Sequence, residues 1–243
     1  MIKSHLKQRL TMVIALLVLC IISLLIGRAV YTFASVGIFK VAWQKETSHV
    51  PADGSIVIAA IGDSTVQGIG GLRRSDSFIS QVAKRISAKA GKPVQIINFS
   101  VSGSTSEKML KNQLPLLKRL PKVDAVVIAI GPNDITQKKS LNDFLRNYDT
   151  VLAQLPAEKT VVASLPPMGP KDTQGRSSYD WGQALKPVAQ KYNVVVAPVF
   201  DKVKPHANDF KTYGGDFYHP SRYGYKLWAD AFEEPLLKIL NNS

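Results

Sequence analysis

Five short runs rich in valine and isoleucine, separated by longer amphipathic stretches, constrain the fold of this chain more than any other feature. The runs are IVIAAIG (56–62), VQIINF (94–99), AVVIAIG (125–131), TVVASL (160–165) and VVVAPVF (194–200). Continuous apolar strands of this kind are typical of parallel sheets that helices bury on both faces. Amphipathic stretches at about 76–90, 105–119, 141–154, 177–191 and 222–240 supply the helices. The pattern predicts a three-layer α/β/α sandwich of the flavodoxin-like type around a five-stranded parallel sheet.

An uncharged apolar stretch precedes this predicted domain. It covers residues 10–27, eighteen residues that follow a basic tail, 1–9, carrying Lys3, Lys7 and Arg9. As a helix it would measure roughly 27 Å, close to the ~30 Å hydrocarbon core of a bilayer. We therefore expect a transmembrane signal-anchor at 10–27. Basic residues are as frequent just after the stretch as before it, but the tail has the denser cluster, which favours a cytoplasmic N-terminus and an extracytoplasmic domain.

A cleaved signal peptide is the alternative for this stretch, with secretion as the result. Signal peptides usually have a shorter apolar region of about 7 to 15 residues, followed by a small-residue cleavage site. Thr32-Phe33-Ala34 is a poor match to such a site. A lipid attachment at Cys20 is disfavoured because Leu19 precedes it where a small residue is expected. The length of the stretch favours a retained anchor.

Residues 28–53 are expected to form a connector between the anchor and the predicted folded domain, 54–243. Aromatic residues in this segment suit a membrane interface; they are Tyr31, Phe33, Phe39 and Trp43. The turn-forming sequence Pro51-Ala52-Asp53-Gly54 marks the start of the folded domain.

Charge and cysteine content exclude several classes of function. The net charge of +13 favours anionic surroundings, but the basic residues are spread along the chain without a block of five. Solvated helix faces explain that distribution better than a nucleic-acid stripe does, so no nucleic-acid partner is expected.

Cys20 is the single cysteine, which excludes an intramolecular disulfide and a thiolate metal site within this chain.

Small polar turns follow the first three predicted strands. They are Gly62-Asp63-Ser64-Thr65, Ser100-Val101-Ser102-Gly103 and Gly131-Pro132-Asn133-Asp134, and Asp216-Phe217-Tyr218-His219-Pro220 precedes the last predicted helix. In sheets of this kind, functional residues gather beyond the carboxyl ends of the strands. These turns are therefore the candidate site.

Ser64 and His219 are the candidate nucleophile and base. A serine hydroxyl needs a base to remove its proton, and neutral histidine suits that task. Asp216 lies three residues before His219, close enough in a turn to accept Nδ1–H and present Nε2 to the serine. Two of the four histidines precede the folded domain, and His206 lies in a polar, lysine-rich loop with Asp209 after it. We therefore expect His206 to be a surface residue.

Acyl transfer also requires donors aimed at the oxyanion of the tetrahedral intermediate. Gly103 can supply a backbone N–H, Asn133 a side-chain N–H, and Ser64 its own backbone N–H at a helix start. This chemistry requires no metal ion and no cofactor.

Four sequence blocks together resemble the SGNH or GDSL hydrolase family. They are GDST (62–65), the glycine of NFSVSGS (98–104), GPND (131–134) and DFYHP (216–220), in family order over residues 55–240. The resemblance implies an α/β/α fold with Ser64 as nucleophile, His219 as base and Asp216 as its orienting partner. It also implies that Gly103 and Asn133 belong to the oxyanion hole. Thr65 replaces the leucine of the family name, a position that varies within the family.

Two rival classes are disfavoured by spacing. A dinucleotide loop beginning at Gly68-Ile69-Gly70 would need a third glycine at position 73, where Arg73 stands. The nucleophile elbow of α/β-hydrolases would need a glycine where Val66 stands.

The sequence does not identify the substrate or the acceptor of the acyl group. An O-acyltransferase on the same scaffold and a non-catalytic binding domain are the alternatives to an esterase. Membrane anchoring and basic charge are compatible with a lipid ester or an acylated envelope glycan as substrate, and a soluble small-molecule ester near the membrane fits equally well. Candidate pocket walls are the loops Pro166-Pro167-Met168-Gly169-Pro170 and Gly68 to Arg74.

Overall fold

The protein is described by a computed structural model in which residues 2–49, 51–168 and 175–242 are placed. Its described residues form a five-stranded parallel sheet with the strand order β2-β1-β3-β4-β5. The strands are β1 (Ile56–Gly62), β2 (Val94–Asn98), β3 (Ala125–Ala129), β4 (Thr160–Ala163) and β5 (Val195–Ala197). Each predicted strand is present, and the predicted five-stranded sheet is confirmed.

Helices connect the strands and cover both faces of the sheet. The α-helices are α1 (Ile2–Thr47), α2 (Ser64–Gln67), α3 (Phe78–Ala90), α4 (Ser106–Lys108), α5 (Leu114–Leu117), α6 (Pro132–Thr136), α7 (Leu141–Leu152), α8 (Gly175–Lys191), α9 (Val199–Val203) and α10 (Arg222–Asn241). Short 3₁₀ segments lie at Arg74–Asp76, Ala157–Lys159, Lys204–His206 and Phe210–Thr212, and a π-helical segment at Met109–Gln113 joins α4 to α5.

Two hydrophobic cores separate the three layers. Helices α3, α9 and α10 pack on one face of the sheet, where Ile58 and Ala60 of β1 point. Helices α5, α7 and α8 pack on the other face, where Ala59 and Ile61 point. Because successive side chains of a strand alternate between faces, a continuous apolar strand serves both cores.

The predicted helix over 105–119 is interrupted by the π-helical segment Met109–Gln113. Pro115 lies in the first turn of α5 and has no N–H to donate to the carbonyl of Lys111. Widening of the preceding turn is a common accommodation of such a break. It also directs the buried side chain of Gln113 towards the end of β1, with the consequence described below.

Helix α1 is longer than the sequence indicated. Residues 10–27 are exposed along their whole length, and α1 is the one helix in the described ranges that is long and apolar enough to cross a membrane. Residues 28–47, expected as part of a separate connector, continue the same helix. Phe39 and Trp43, expected at a membrane interface, are 3% and 2% exposed and belong to the core beside α3 and α10. Burial against the domain outweighs the interfacial preference of these rings.

Candidate active site

The predicted site residues lie where the strand order reverses. The chain moves from β1 to β2 on one side and then returns to place β3 on the other side of β1. Gly62 of β1 pairs with Ala129 of β3, so the loops after these strands leave the sheet side by side. Such a switch point is the usual ligand-binding position of an open α/β sheet. It places Ser64 and Asn133 at one edge.

Ser64, His219 and Asp216 form a continuous chain of hydrogen bonds. The Oγ of Ser64 lies 2.9 Å from Nε2 of His219, and Nδ1 of His219 lies 2.6 Å from Oδ2 of Asp216. With Nδ1–H directed at the carboxylate, Nε2 is free to accept the serine proton. The three side chains therefore have the relative positions that nucleophile, base and orienting acid require.

Glycine is required at the end of β1 for Ser64 to take this position. Gly62 has φ +155°, and a Cβ there would lie 2.2 Å from the carbonyl oxygen of Ala129. The turn then begins α2, whose N-cap Asp63 accepts the backbone N–H of Thr65 at 2.9 Å. Ser64 is consequently the first residue of a short, capped helix.

The loop that carries His219 is braced from within. The second carboxylate oxygen of Asp216 accepts the backbone N–H groups of Tyr218 and His219, at 3.1 and 3.0 Å. The N–H of Gly214 donates to the carbonyl of His219 at 2.7 Å, and Ser221 caps α10 directly afterwards. One carboxylate thus fixes both the imidazole and its backbone.

Burial alone would raise the pKa of Asp216. Hydrogen bonds from the His219 side chain and backbone, the His219 charge and the Tyr218 N–H outweigh that effect and hold the pKa below its ordinary value. Asp216 therefore stays ionised at neutral pH, as an acceptor for Nδ1–H must.

Asn133 is brought into the site and Gly103 lies in the adjoining turn. The Asn133 side chain shares a pocket with Ser64 and His219, and its Nδ2 lies 3.4 Å from Oδ2 of Asp63. Gly103 has φ +76°, and its carbonyl accepts a hydrogen bond from Gln137 at 3.3 Å, at the end of α6. Among the hydrogen bonds of the described residues, none uses the backbone N–H of Ser64 or of Gly103.

Two buried glutamines, which the sequence analysis missed, join these turns. Gln113 accepts the N–H of Gly62 at 2.7 Å and donates to the Gly62 carbonyl at 2.9 Å and to Ser104 Oγ at 3.1 Å. Gln67 donates to the carbonyl of Ser100 at 3.0 Å and accepts from the Ser102 hydroxyl at 2.5 Å. The turn after β2 is therefore fixed to the strand and helix on either side of Ser64.

Two further carboxylates are buried beside the site. Burial raises the pKa of Asp63 to about 6, against the opposing effect of its hydrogen bonds from Thr65. Burial also raises the pKa of Asp134, although Ser106 donates both its N–H and its hydroxyl to that carboxylate. Asp63 and Asp134 hold the turns around Ser64 and Asn133 in place without touching the His219–Asp216 pair.

A mainly apolar pocket opens beside Ser64. Its polar members include Ser64, Asn133 and His219, and its apolar wall is formed by Pro132, Pro166, Pro167, Met168, Val203, Tyr213, Tyr218, Pro220 and Trp228. The loop after β4 thus supplies part of the wall, while Gly169 and Pro170 of the predicted wall lie outside the described residues. In the described part of the chain, the segment from Gly68 to Arg74 does not line this pocket. It packs instead beneath the His219 loop, where Gly70 lies against Pro220.

Outside this site, the described residues do not form a second hydrogen-bonded Ser–His–Asp arrangement. His206 pairs with Asp209 at 3.3 Å and lies 3.4 Å from the Tyr223 hydroxyl, with its side chain 35% exposed. Within the described ranges, no cluster of three or more His, Cys, Asp or Glu side chains is placed to hold a metal ion.

The Ser–His–Asp chain of hydrogen bonds at the carboxyl edge of this parallel sheet is the arrangement of catalytic groups found in serine hydrolases. The sequence model of the GDSL-like lipase/acylhydrolase family matches residues 60–227, and the chain belongs to that family. It is an ester-hydrolysing serine hydrolase. No curated protein matches the sequence.

Solved structures show the same fold. A lipolytic protein of the G-D-S-L family from Veillonella parvula is 17% identical, with TM-score 0.62, and the match covers 74% of this chain and 97% of that protein. The esterase EstA from Pseudoalteromonas sp. is 20% identical, with TM-score 0.62 and coverage of 76% and 98%. The acetylxylan esterase Axe2 from Geobacillus stearothermophilus is 18% identical, with TM-score 0.56 and coverage of 76% and 94%. The resemblance to this family seen in the sequence is confirmed.

Proposed function

We propose that the enzyme cleaves carboxylic esters through an acyl intermediate on Ser64, with His219 as general base and acid and Asp216 as its orienting partner. The observation that carries this proposal is the hydrogen-bonded chain of 2.9 Å from Ser64 to His219 and 2.6 Å from His219 to Asp216. The apolar pocket beside Ser64 supports binding of an acyl group.

The proposed reaction has two halves. His219 Nε2 takes the proton of Ser64 Oγ as the oxygen attacks the ester carbonyl, and the imidazolium then gives that proton to the leaving alcohol. In the second half, His219 takes a proton from water, the hydroxide attacks the acyl-serine, and the proton returns to Ser64 as the acid leaves. The N–H groups of Ser64, Gly103 and Asn133 stabilise the oxyanion in both halves.

Active-site labelling and ester hydrolysis test these roles directly. Ser64→Ala should abolish both labelling by a fluorophosphonate probe and hydrolysis of a short p-nitrophenyl ester. His219→Ala should abolish hydrolysis, whereas the matched variant His206→Ala should retain it, because His206 pairs with Asp209 and not with Ser64. Hydrolysis by His219→Ala at the wild-type rate would refute the base assignment.

The acceptor of the acyl group is tested by product analysis. Free acid formed with water as sole acceptor supports hydrolysis, whereas turnover that depends on an added alcohol or glycan supports an O-acyltransferase. Candidate substrates are small-molecule, lipid or acylated glycan esters, and the naming of one structural relative as an acetylxylan esterase supports including acetylated glycans in the screen.

The N-terminal helix is proposed to be a retained membrane anchor with the catalytic domain outside the cytoplasm. The candidate cleavage segment 32–34 lies within α1, and Thr32 is 3% exposed against the domain. A protease that requires an extended segment would have to unwind a helix that contributes to the core. Tags at both termini should therefore remain on one membrane-bound polypeptide, and loss of the N-terminal tag from the mature protein would refute retention.

A further inference from the structure

The apolar span of α1 ends directly at the loop that carries the catalytic residues. Arg28 is the first charged residue after the uncharged stretch 10–27. A Cβ at Gly215 would lie 2.5 Å from the carbonyl carbon and oxygen of Arg28, so the two backbones are in direct contact. Gly215 precedes Asp216, which accepts the hydrogen bond from His219. The site is therefore a few residues from the point where the helix would leave the hydrocarbon core.

A second contact between α1 and the active-site loops lies one turn further along. The Tyr31 hydroxyl donates to the carbonyl of Leu72 at 2.6 Å. Four helical residues beyond Gly27 correspond to roughly 6 Å, and the headgroup layer on each side of a bilayer is about 5 to 8 Å thick. Both contacts thus fall at the depth of the lipid headgroups.

Residues 28–47, the docked part of α1, pack against the catalytic domain and fix the position of both contacts along the helix axis. Trp43 Nε1 donates to the carbonyl of Gln67 at 3.0 Å, and the guanidinium of Arg74 lies 4.4 Å from the centroid of the Trp43 ring and pairs with Glu46. Gln67 ends the helix that begins with Ser64. The anchor is consequently a rigid extension of the catalytic domain and not a flexible tether.

Large apolar side chains project into solvent from the same loops. Leu72 is 66% exposed, Phe210 is 75% exposed and Phe217 is 38% exposed. The rings of Phe210 and Phe217 are in edge-to-face contact, with centroids 6.1 Å apart. Phe217 directly follows Asp216, and the next two residues, Tyr218 and His219, line the pocket. Apolar groups that cluster at a surface mark sites of contact with another molecule or a membrane.

Two basic side chains lie beside these apolar residues, each near a carboxylate: Lys211 is 3.8 Å from Asp209 and Arg222 is 3.6 Å from Asp76. Lys211 and Arg222 are 62% and 82% exposed, and Arg222 lines a cavity of about 140 Å³ together with Arg28 and Leu72, between α1 and the loops. Apolar side chains with a basic margin match the chemistry of a bilayer that contains anionic lipids.

We propose that Leu72, Phe210 and Phe217, with the basic residues beside them, form a membrane-contact surface beside the loop that carries His219. This surface rests on the bilayer that α1 spans, and the enzyme takes its ester from a lipid embedded there. The proposal rests on the esterase function and the retained anchor proposed above. It predicts that exposed apolar side chains on these loops sit in the lipid, whereas those on the opposite layer remain in water.

Depth measurements in vesicles test the surface without requiring activity. Single cysteines replace Leu72, Phe210 or, as the control, Leu116, in the full-length chain with Cys20→Ser and Ser64→Ala. Leu116 is 41% exposed in α5, which packs on the face of the sheet opposite to Phe39 and Trp43 of α1. An NBD label should be blue-shifted and quenched by brominated lipid in phosphatidylcholine–phosphatidylglycerol vesicles at positions 72 and 210, but not at 116. Water-like emission at 72 and 210, as at 116, would overturn the proposal.

Activity measurements test the consequence for the substrate. Leu72→Ser and Phe210→Ser should lower hydrolysis of a fluorogenic lipid ester in vesicles by about tenfold, because an apolar side chain is lost from the interface. Hydrolysis of a soluble p-nitrophenyl ester should change by less than about twofold, and Leu116→Ser should change neither. An equal loss on both esters would overturn the proposal. A wild-type protein that cleaves neither ester would refute the proposed function, while the label depths would still decide the surface.

Discussion

Replacement of Asp63 by asparagine should change the free energy of unfolding in a way that depends on pH. The difference, variant minus wild type, should be larger at neutral pH than at acid pH. Asp63 is 1% exposed and its pKa rises from 3.8 to about 6 on folding, because burial disfavours the charged carboxylate. Well below pH 3.8 both the folded and the unfolded carboxyl groups are protonated, so burial has no ionisation cost. From about pH 3 to pH 6 the unfolded state loses its proton first, and the folded protein is progressively destabilised.

The size of this effect follows from the same pKa. A rise from 3.8 to about 6 corresponds to about 3 kcal/mol of unfolding free energy, which the wild type has lost by neutral pH. Asparagine does not titrate, so the difference in unfolding free energy, variant minus wild type, should rise by about 2 kcal/mol between pH 4 and pH 7, the rest of the effect lying below pH 4. Asparagine can still accept from Thr65, but its amide faces that of Asn133, which adds a penalty that does not depend on pH.

Urea unfolding of the detergent-solubilised full chain, followed by tryptophan fluorescence across this pH range, measures the difference. Asp201→Asn, which removes an exposed carboxylate from α9, is the matched control and should run parallel to the wild type. The difference in unfolding free energy between Asp63→Asn and wild type could instead be constant with pH or fall as pH rises. Either result would refute the assignment of a raised pKa to Asp63.

Substitutions at three further residues test the site and its support. Asn133→Ala should lower kcat for a p-nitrophenyl ester by roughly 10²-fold, as expected for loss of one oxyanion donor. Trp43→Phe should cost about 1 kcal/mol in urea unfolding, since a buried carbonyl loses its donor, and Trp43→Ala about 3 to 5 kcal/mol. Gly70→Ala should lower kcat roughly 10²-fold, because its Cβ would lie 2.8 Å from Cβ of His219, whereas Gly91→Ala, with open space around it, should retain activity.

Each of these expectations has a contrary outcome. An Asn133→Ala enzyme with the wild-type kcat would remove this amide from the oxyanion hole. Equal destabilisation by the two Trp43 variants would mean that the ring does not pack in the core. A loss of activity in Gly91→Ala as large as that in Gly70→Ala would attribute the effect to backbone strain in general, and not to contact with the His219 loop.

The sheet could be predicted from sequence because its signal is local. Each strand is a continuous Val/Ile run, and the predicted ends were too long: residues 130–131 and 164–165 leave the sheet for loops of the site, and residues 199–200 begin α9. The proximity of Asp216 and His219 could also be predicted, because three residues of spacing bring the two side chains together in one turn. That Ser64 lies against them follows from its position after β1, at the switch point.

The supporting contacts could not be predicted, because they depend on partners far away in the chain. Gln113 bonds to Gly62 across 51 residues and Gln67 to Ser100 across 33, and neither glutamine belongs to a local pattern. The docked part of α1 did carry a signal. Its buried side chains at 32, 35, 39 and 43 recur at spacings of three and four, which is helical periodicity. Aromatic residues also suit a membrane interface, so their composition and their periodicity favour different locations for this segment, and burial in the core is the one observed.

The place of Phe39 and Trp43 in the core has a consequence for biosynthesis. They belong to the same core as the buried residues of α10, so α1 and α10 both contribute to one face of the sheet. Under the proposal that α1 is a retained anchor, its N-terminal half enters the bilayer before α10 has been synthesised. This core therefore stays incomplete until α10 has emerged from the ribosome. A truncation that removes α10 should leave an anchored chain that quality-control proteases degrade.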